Sequence, residues 1–244
     1  MIELNKIYNE DCLEGMKRIE GKSIDMILCD LPYQVSSQSW DIQIPLKELW
    51  EQYERIIKNN GVIVLTATNP FASILVNSNL KMFKYEWIWD KEQGTNQFLK
   101  DKQPLRKHEQ VLVFYKNQPT YNPIMIQSWR REIKIRAEGK DPITGVESKE
   151  KTNYDSKGLK YPTTILPINR PHWREGRFHP TQKPIALFKY LIETYTNEND
   201  IVLDNCMGSG TTAVACINTH RNFIGFELDK EYHRLAEDRI HSLV

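Results

Sequence analysis

The stretch IVLDNCMGSGTTAVACINT, residues 201–219, decides how the rest of the chain is read. Ile201, Val202 and Leu203 make a continuous apolar run, the pattern of a strand buried on both faces. Asp204 stands at its carboxyl end, Gly208 and Gly210 follow, and Thr211 and Thr212 open a helix of small residues. Strand, glycine-rich turn and helix in this order are one unit of an open α/β sheet, and such sheets hold ligands beyond the carboxyl ends of their strands. Glycines at the turn let the backbone approach a ligand. The turn is not a P-loop, because it lacks the Gly-Lys-Ser/Thr ending, and Ala213 breaks the G-x-G-x-x-G pattern. A small organic cofactor fits better than a bare phosphate. The next strand, NFIGFELD, places Glu227 at its end, 17 residues after Gly210. An acid there is suited to two ribose hydroxyls, so the cofactor expected is of nucleoside type.

Working outward, the same rhythm fills the first ninety residues. Leu4–Tyr8 reads as a short strand, Cys12–Ile19 as a helix and Ser23–Cys29 as a buried strand. Leu46–Lys58 carries Leu46, Leu49, Trp50, Tyr53, Ile56 and Ile57 at helical spacing, and Asn59-Asn60-Gly61 is expected to stop it. Val62–Ala67 is another buried strand, and Asn69 is expected to cap a helix with Pro70 at its first position. Tyr85–Trp89 and Glu109–Tyr115 read as strands around a polar loop. After residue 178 come a helix from Pro184, the quoted unit and an amphipathic helix to the end. Together these predict a mostly parallel, twisted sheet with helices on both faces.

Between residues 116 and 178 the rhythm is lost, and the segment is basic, aromatic and rich in proline. From Lys81 to Lys183 the chain carries 21 Lys and Arg against 12 Asp and Glu, while the remainder has 12 against 20. The net charge of +1 thus conceals a positive middle, the footprint of a surface that meets phosphates. The same composition suits an ordinary solvated excursion. The 40% of hydrophobic residues suffices for a globular core. No apolar run reaches the roughly 18 residues of a membrane helix, and the N-terminus lacks the pattern of a signal peptide. Cys12, Cys29, Cys206 and Cys216 are widely spaced without a C-x-x-C pair, so reduced thiols and no metal site are expected.

A second acid at a strand end stands in MILCDLPYQVSSQSWD, residues 26–41, where Asp30 closes an apolar run and is followed by Leu31, Pro32 and Tyr33. With Asp30-Leu31-Pro32-Tyr33, the motif from Asp204 to Thr212, and His-Pro-Thr-Gln-Lys-Pro at residues 179–184, the chain resembles the amino-group DNA methyltransferases that use S-adenosylmethionine. Their catalytic motif reads Asp/Asn/Ser-Pro-Pro-Tyr/Phe, so Leu31 replaces the first proline, and Cys206 stands where many members have Pro or Phe. The order of motifs resembles the β group and its circularly permuted, Rossmann-like fold. The resemblance implies a catalytic and cofactor-binding domain at residues 1–115 and 179–244, and a target-recognition insertion at 116–178.

It also implies roles. Asp30 and the carbonyl of Leu31 would accept the hydrogens of a base's exocyclic amino group and aim its lone pair at the cofactor methyl. Pro32 would stiffen the turn and Tyr33 would stack on the flipped base. Asp30 would face the sulfonium, an interaction of roughly 4 kcal/mol at 4 Å and an effective dielectric of 20. Gly208, Ser209, Gly210, Thr211 and Thr212 would line the methionine part, with Asp204, Cys206, Thr181 and Lys183 near it. Glu227 would hold the ribose, and Asp11, with Cys12 beside it, the adenine. Trp40 reads as a lid over the base or as a core anchor. Arg130, Arg131, Arg136, Lys160, Arg170 and Arg174 are the expected DNA contacts. Asp in the first motif position points to adenine N6. Cytosine N4 remains open, as do RNA or protein-glutamine methylation and an inactive nucleic-acid-binding protein of the same fold. Cytosine-carbon methylation is set aside because no cysteine follows a proline. The family's habits further imply duplex DNA as partner, a homodimer, a restriction endonuclease companion, and a cytoplasmic setting in a prokaryote or phage.

Overall fold

The computed structural model describes residues 2–33, 44–128, 133–136, 139–140, 147–148, 152–170 and 182–243. The chain opens with β1 (Lys6–Tyr8), α1 (Cys12–Met16), β2 (Ile24–Asp30), α2 (Leu46–Ile56), β3 (Ile57–Ala67), α3 (Phe71–Ser78), β4 (Phe83–Thr95) and β5 (Arg106–Phe114). Six short strands follow: β6 (Ile126–Gln127), β7 (Ile133–Arg136), β8 (Gly139–Lys140), β9 (Glu147–Ser148), β10 (Thr152–Asp155) and β11 (Leu159–Lys160). The chain closes with β12 (Ile165–Pro167), α4 (Ile185–Tyr195), β13 (Ile201–Asp204), α5 (Thr211–Ile217), β14 (Asn222–Phe226) and α6 (Lys230–His241). No helix among the described residues is long and apolar enough to cross a membrane.

Two compact units result, one of Met1–Asn122 with Thr164–Val244, the other of Pro123–Thr163. In the small unit β6 to β11 form three two-stranded antiparallel ladders. The large unit is one eight-stranded sheet in the order β1-β14-β13-β2-β3-β5-β4-β12. Only β5 runs against its neighbours. The first strand pairs with the last, Lys6 opposite Ile224 and Tyr8 opposite Phe226, the adjacency that circular permutation requires. β12 falls inside the segment 116–178 but pairs with β4, Ile165 opposite Ile88, so it extends the main sheet.

Alternation explains why the run Met26–Cys29 of β2 has no polar interruption. Ile27 and Cys29 face the core under α1, α2 and α3, with Met16, Leu49, Tyr53 and Leu75. Met26 and Leu28 face the opposite core under α4 and α5, with Leu187, Leu191, Ala213 and Cys216. Both sides of the strand are dry, and each such side chain contributes roughly 1.5–3 kcal/mol on burial.

Two local expectations are corrected. Asn59-Asn60-Gly61 does not stop α2, which ends at Ile56 and passes directly into β3 at an extended Ile57. Ile24 pairs with Ile57 and Met26 with Val62, so residues 58–61 are looped out of the ladder. A Cβ on Gly61 would lie 2.8 Å from Ile57 Cδ1 and 2.9 Å from Asp25 O, which only glycine avoids. Burial of the β-branched Ile57 against the sheet outweighs the local turn signal. The second correction concerns α3, which starts at Phe71 with Pro70 in the cap position, while the Asn69 side chain accepts from Ser73 Oγ at 2.9 Å.

Candidate active site

Asp30, Asp204 and Glu227 all stand at carboxyl ends of parallel strands, on one edge of the large unit. The glycine loop is shaped by its own backbone and by two acids. Met207 N donates to Phe226 O at 2.8 Å and Gly210 N to Met207 O at 3.0 Å. Gly208 and Gly210 have φ of +55° and +81°, the left-handed region, and a Cβ on Gly210 would meet Ala236 Cβ at 3.1 Å. Glu227 holds the loop from the next strand, with Oε2 accepting from Gly208 N at 2.7 Å and Oε1 from Asp229 N at 2.8 Å. Asp204 accepts from Cys206 N at 3.0 Å through Oδ1 and from Thr212 Oγ1 through Oδ2. Arg239 of α6 donates to Ser209 O at 2.9 Å. Asp11 caps α1, its Oδ1 accepting from Leu13 N and Glu14 N.

Three of the four cysteines, distant in sequence, converge behind this loop. Asn205 Nδ2 lies 3.7 Å from Cys12 Sγ and 3.4 Å from Cys206 Sγ, and Tyr53 OH donates to Asn205 Oδ1 at 2.5 Å. Burial pushes the Cys29 thiol up to about 12, against a bond with Cys206 that lowers it. Cys206 is the most accessible of the three.

The carboxylate of Asp30 is crowded. Its Oδ1 accepts from Tyr33 OH and from Thr66 Oγ1, both at 2.5 Å, and its Oδ2 from Lys183 Nζ at 2.5 Å. Thr66 is brought there by register, since Asp30 pairs with Thr66 across β2 and β3. Lys183 is nearly buried; burial alone would depress its ammonium, but Asp30 and Glu109 beside it hold it above the usual lysine range. Asp30 is therefore not a bare anion, because a buried cation already balances it. Tyr33 packs on Phe71, ring centroids 5.3 Å apart, and burial followed by the Asp30 charge raises its hydroxyl well above the usual range. The Leu31 side chain, of which the motif asks only a carbonyl, is 2% exposed and belongs to the core.

The family model described as DNA methylase, for N6 and N4 methyltransferases, matches residues 24–238. This chain belongs to the DNA methylase family. Type II methyltransferase M1.MboII of Moraxella bovis is 26% identical over 95% of the methylase and 95% of its own length. The DNA adenine methyltransferase YhdJ of Escherichia coli is 26% identical over 98% of this chain and 83% of its own. Among solved structures, the M1.HpyAVI–SAM complex superposes with a TM-score of 0.64 at 26% identity, covering 96% of the methylase and 98% of that chain.

Of the residues singled out from sequence, Asp11, Cys12, Asp30, Leu31, Pro32, Tyr33, Lys183, Asp204, Cys206, Gly208, Ser209, Gly210, Thr211, Thr212 and Glu227 all belong to the methylase's large unit. Trp40, Arg130, Arg131, Arg174 and Thr181 lie outside the described residues. Arg136 is on β7, Lys160 is exposed on β11 and Arg170 is exposed after β12. Sequence reasoning missed Thr66, Lys91, Glu109 and Asn205. Their only signal was a polar residue within or beside an apolar run, as in HEQVLVF for Glu109.

Asp204 gives a pH test. Burial pushes its carboxyl up to about 6, although Thr212 and Cys206 N oppose this. Above the ordinary carboxylate range and below 6, the folded chain then holds more protons at this site than the unfolded one, so this site loses stability as pH rises through that window. Asp204→Asn cannot titrate. Its stability relative to wild type is expected to rise by roughly 2–3 kcal/mol between pH 4 and pH 7. Thermal melts at both pH values check this, and a gap that does not change with pH excludes it.

Proposed function

We propose that this methylase transfers the methyl group of S-adenosylmethionine to the exocyclic N6 amino group of adenine in a specific duplex DNA sequence. The observation that carries the reading is the common edge shared by Asp30 and the Glu227-tethered glycine loop. The residues present fit such a cofactor. A Cβ at Gly208 would meet nothing nearer than Cys206 O at 4.0 Å, so the loop is open there; Glu227 keeps lone pairs beside it, and Asp30 and Glu227 set carboxyl groups on the edge that a sulfonium cation would face.

Bound there, the cofactor supplies an electrophilic methyl group. The chain's own residues do the rest. Asp30 and the Leu31 carbonyl accept the two amino hydrogens, which turns the nitrogen lone pair toward the methyl. Tyr33 offers a ring to the base, which has to leave the duplex to reach this edge. Thr66 and Tyr33 fix one oxygen of Asp30, so its orientation is set before substrate arrives. Lys160 of the small unit offers one contact for DNA. In the large unit β12 runs parallel to β4, so Arg170 after it stands at the Asp30 edge as a second. β4 runs parallel to β2, so the arm after it, with Lys100, Lys102 and the fully exposed Phe98, also projects from the Asp30 edge. Asp in the first motif position and the name of the Escherichia coli relative support adenine over cytosine. A homodimer, an endonuclease companion and a prokaryotic cytoplasm belong to the same reading.

Methyl-labelled cofactor and duplex DNA of mixed sequence test it, followed by digestion to nucleosides. Label in N6-methyldeoxyadenosine is expected. Label in N4-methyldeoxycytidine moves the target to cytosine, and unlabelled DNA overturns the reading.

A further inference from the structure

Four charged side chains stand in a row that begins at the candidate catalytic carboxylate. Asp30 Oδ2 is 2.5 Å from Lys183 Nζ, Lys183 Nζ is 3.3 Å from Glu109 Oε2, and Glu109 Oε1 is 2.8 Å from Lys91 Nζ. The signs alternate, and the row is neutral. The Lys183, Lys91 and Glu109 side chains are 7%, 5% and 15% exposed, so all three depend on one another for charge balance.

One link in the row is loose. Glu109 Oε2 is buried and has no hydrogen-bond partner among the described residues. It lies 3.3 Å from Lys183 Nζ, an ion pair without the alignment of a good hydrogen bond. Asp30 shows the opposite condition, with donors from Thr66, Tyr33 and Lys183 already on its carboxylate. A carboxylate offers about four lone-pair sites, so an arriving amino group finds one left, on the oxygen that Lys183 holds. A lysine ammonium carries three donors on a flexible stem, so a small rotation moves it between two carboxylates. The structure thus holds a crowded acceptor and an under-used one, with one flexible cation within reach of both.

We propose that Lys183 is a positioning residue that changes partner during the catalytic cycle. Before DNA binds, its ammonium holds Asp30. When the target amino group reaches Asp30, the ammonium turns to Glu109 Oε2, and Lys91 keeps Glu109 in place to receive it. Only hydrogen bonds are exchanged, and the row stays neutral throughout. This rests on the reading of Asp30 as acceptor of the amino group.

The wild-type chain, labelled with ¹⁵N at lysine Nζ, tests the exchange directly. It is bound to S-adenosylhomocysteine and to a duplex carrying the sequence found to be methylated. The Lys183 ammonium signal, assigned with Lys183→Arg, is expected to move from its DNA-free position. The same duplex with purine, which lacks the amino group, at the target base should leave it in place. No movement with the adenine duplex, or equal movement with both, overturns the proposal. Glu109→Gln is the kinetic arm, since it keeps the shape and removes the receiving anion. Single-turnover methyl transfer should fall roughly 10–100-fold, as for other groups that orient a reacting ligand. Cofactor affinity and KM for DNA should stay within about two-fold, and Glu109→Asp should restore part of the rate. A wild-type rate in Glu109→Gln overturns the exchange. If Asp30→Ala also transfers normally, the reading of Asp30 itself fails; if Asp30→Ala is inactive, only the exchange does.

Discussion

Replacing Asp30 by alanine is expected to lower the rate of methyl transfer by roughly 10³-fold, the upper range for loss of one preorganised electrostatic contact. The substitution removes the acceptor for the amino group. It also removes the partner of Thr66 Oγ1, Tyr33 OH and Lys183 Nζ together. Lys183 would then share Glu109 with Lys91, two buried ammonium groups on one carboxylate. Breaking a buried pair from one side costs about 3–5 kcal/mol when fully dry. Asp30 is 24% exposed in its side chain, so a smaller cost is expected. Asp30→Asn separates chemistry from stability, because it keeps the shape and one acceptor oxygen while losing the charge. Its rate should fall between wild type and alanine. Initial rates of label transfer, with a thermal melt of each variant, check this. An alanine variant within ten-fold of wild type, while folded, would remove Asp30 from the chemistry.

Glu227→Ala is expected to weaken cofactor binding by roughly 100-fold, about 2.7 kcal/mol. The size is that of one hydrogen bond to a charged group, worth about 1.5–3 kcal/mol. Two losses combine in this variant. The ribose loses its acceptor, and the glycine loop loses its tether, since Gly208 N and Asp229 N both donate to this carboxylate. Glu227→Gln keeps one acceptor oxygen and should lose less. Burial raises the Glu227 carboxyl above the usual glutamate range, although Asp229 N and Gly208 N oppose this. Cofactor affinity should therefore start to fall at a higher pH on acidification than an ordinary glutamate would give. Calorimetric titration across pH reads both effects. A three-fold change or less in the alanine variant would exclude Glu227 from the ribose site.

The glycine loop and both strand-end acids were legible because their signals are local. An apolar run that meets an acid and then two glycines needs no knowledge of the rest of the chain. Boundaries were less legible where two local preferences competed. Residues 56–61 offered a helix, a turn and a strand, and pairing of Ile24 with Ile57 decided among them. The motif asks only a carbonyl of Leu31 and leaves its side chain open, and in the fold that side chain belongs to the core under the motif. Leu31→Pro would therefore change packing as well as backbone.

By itself, the sequence determined the α/β class, the order of motifs and the acids that end β2 and β13, because periodicity and strand-end chemistry are written in neighbouring residues. Tertiary structure alone decided what those acids touch. Asp30 meets Thr66 and Lys183, 36 and 153 residues away, and Cys12 meets Cys206 through Asn205. Such contacts depend on register between strands, and a slip of one residue would turn Thr66 to the opposite face of the sheet. Hydrogen bonds and buried ion pairs act over a few ångströms, so no pattern in the linear chain records them.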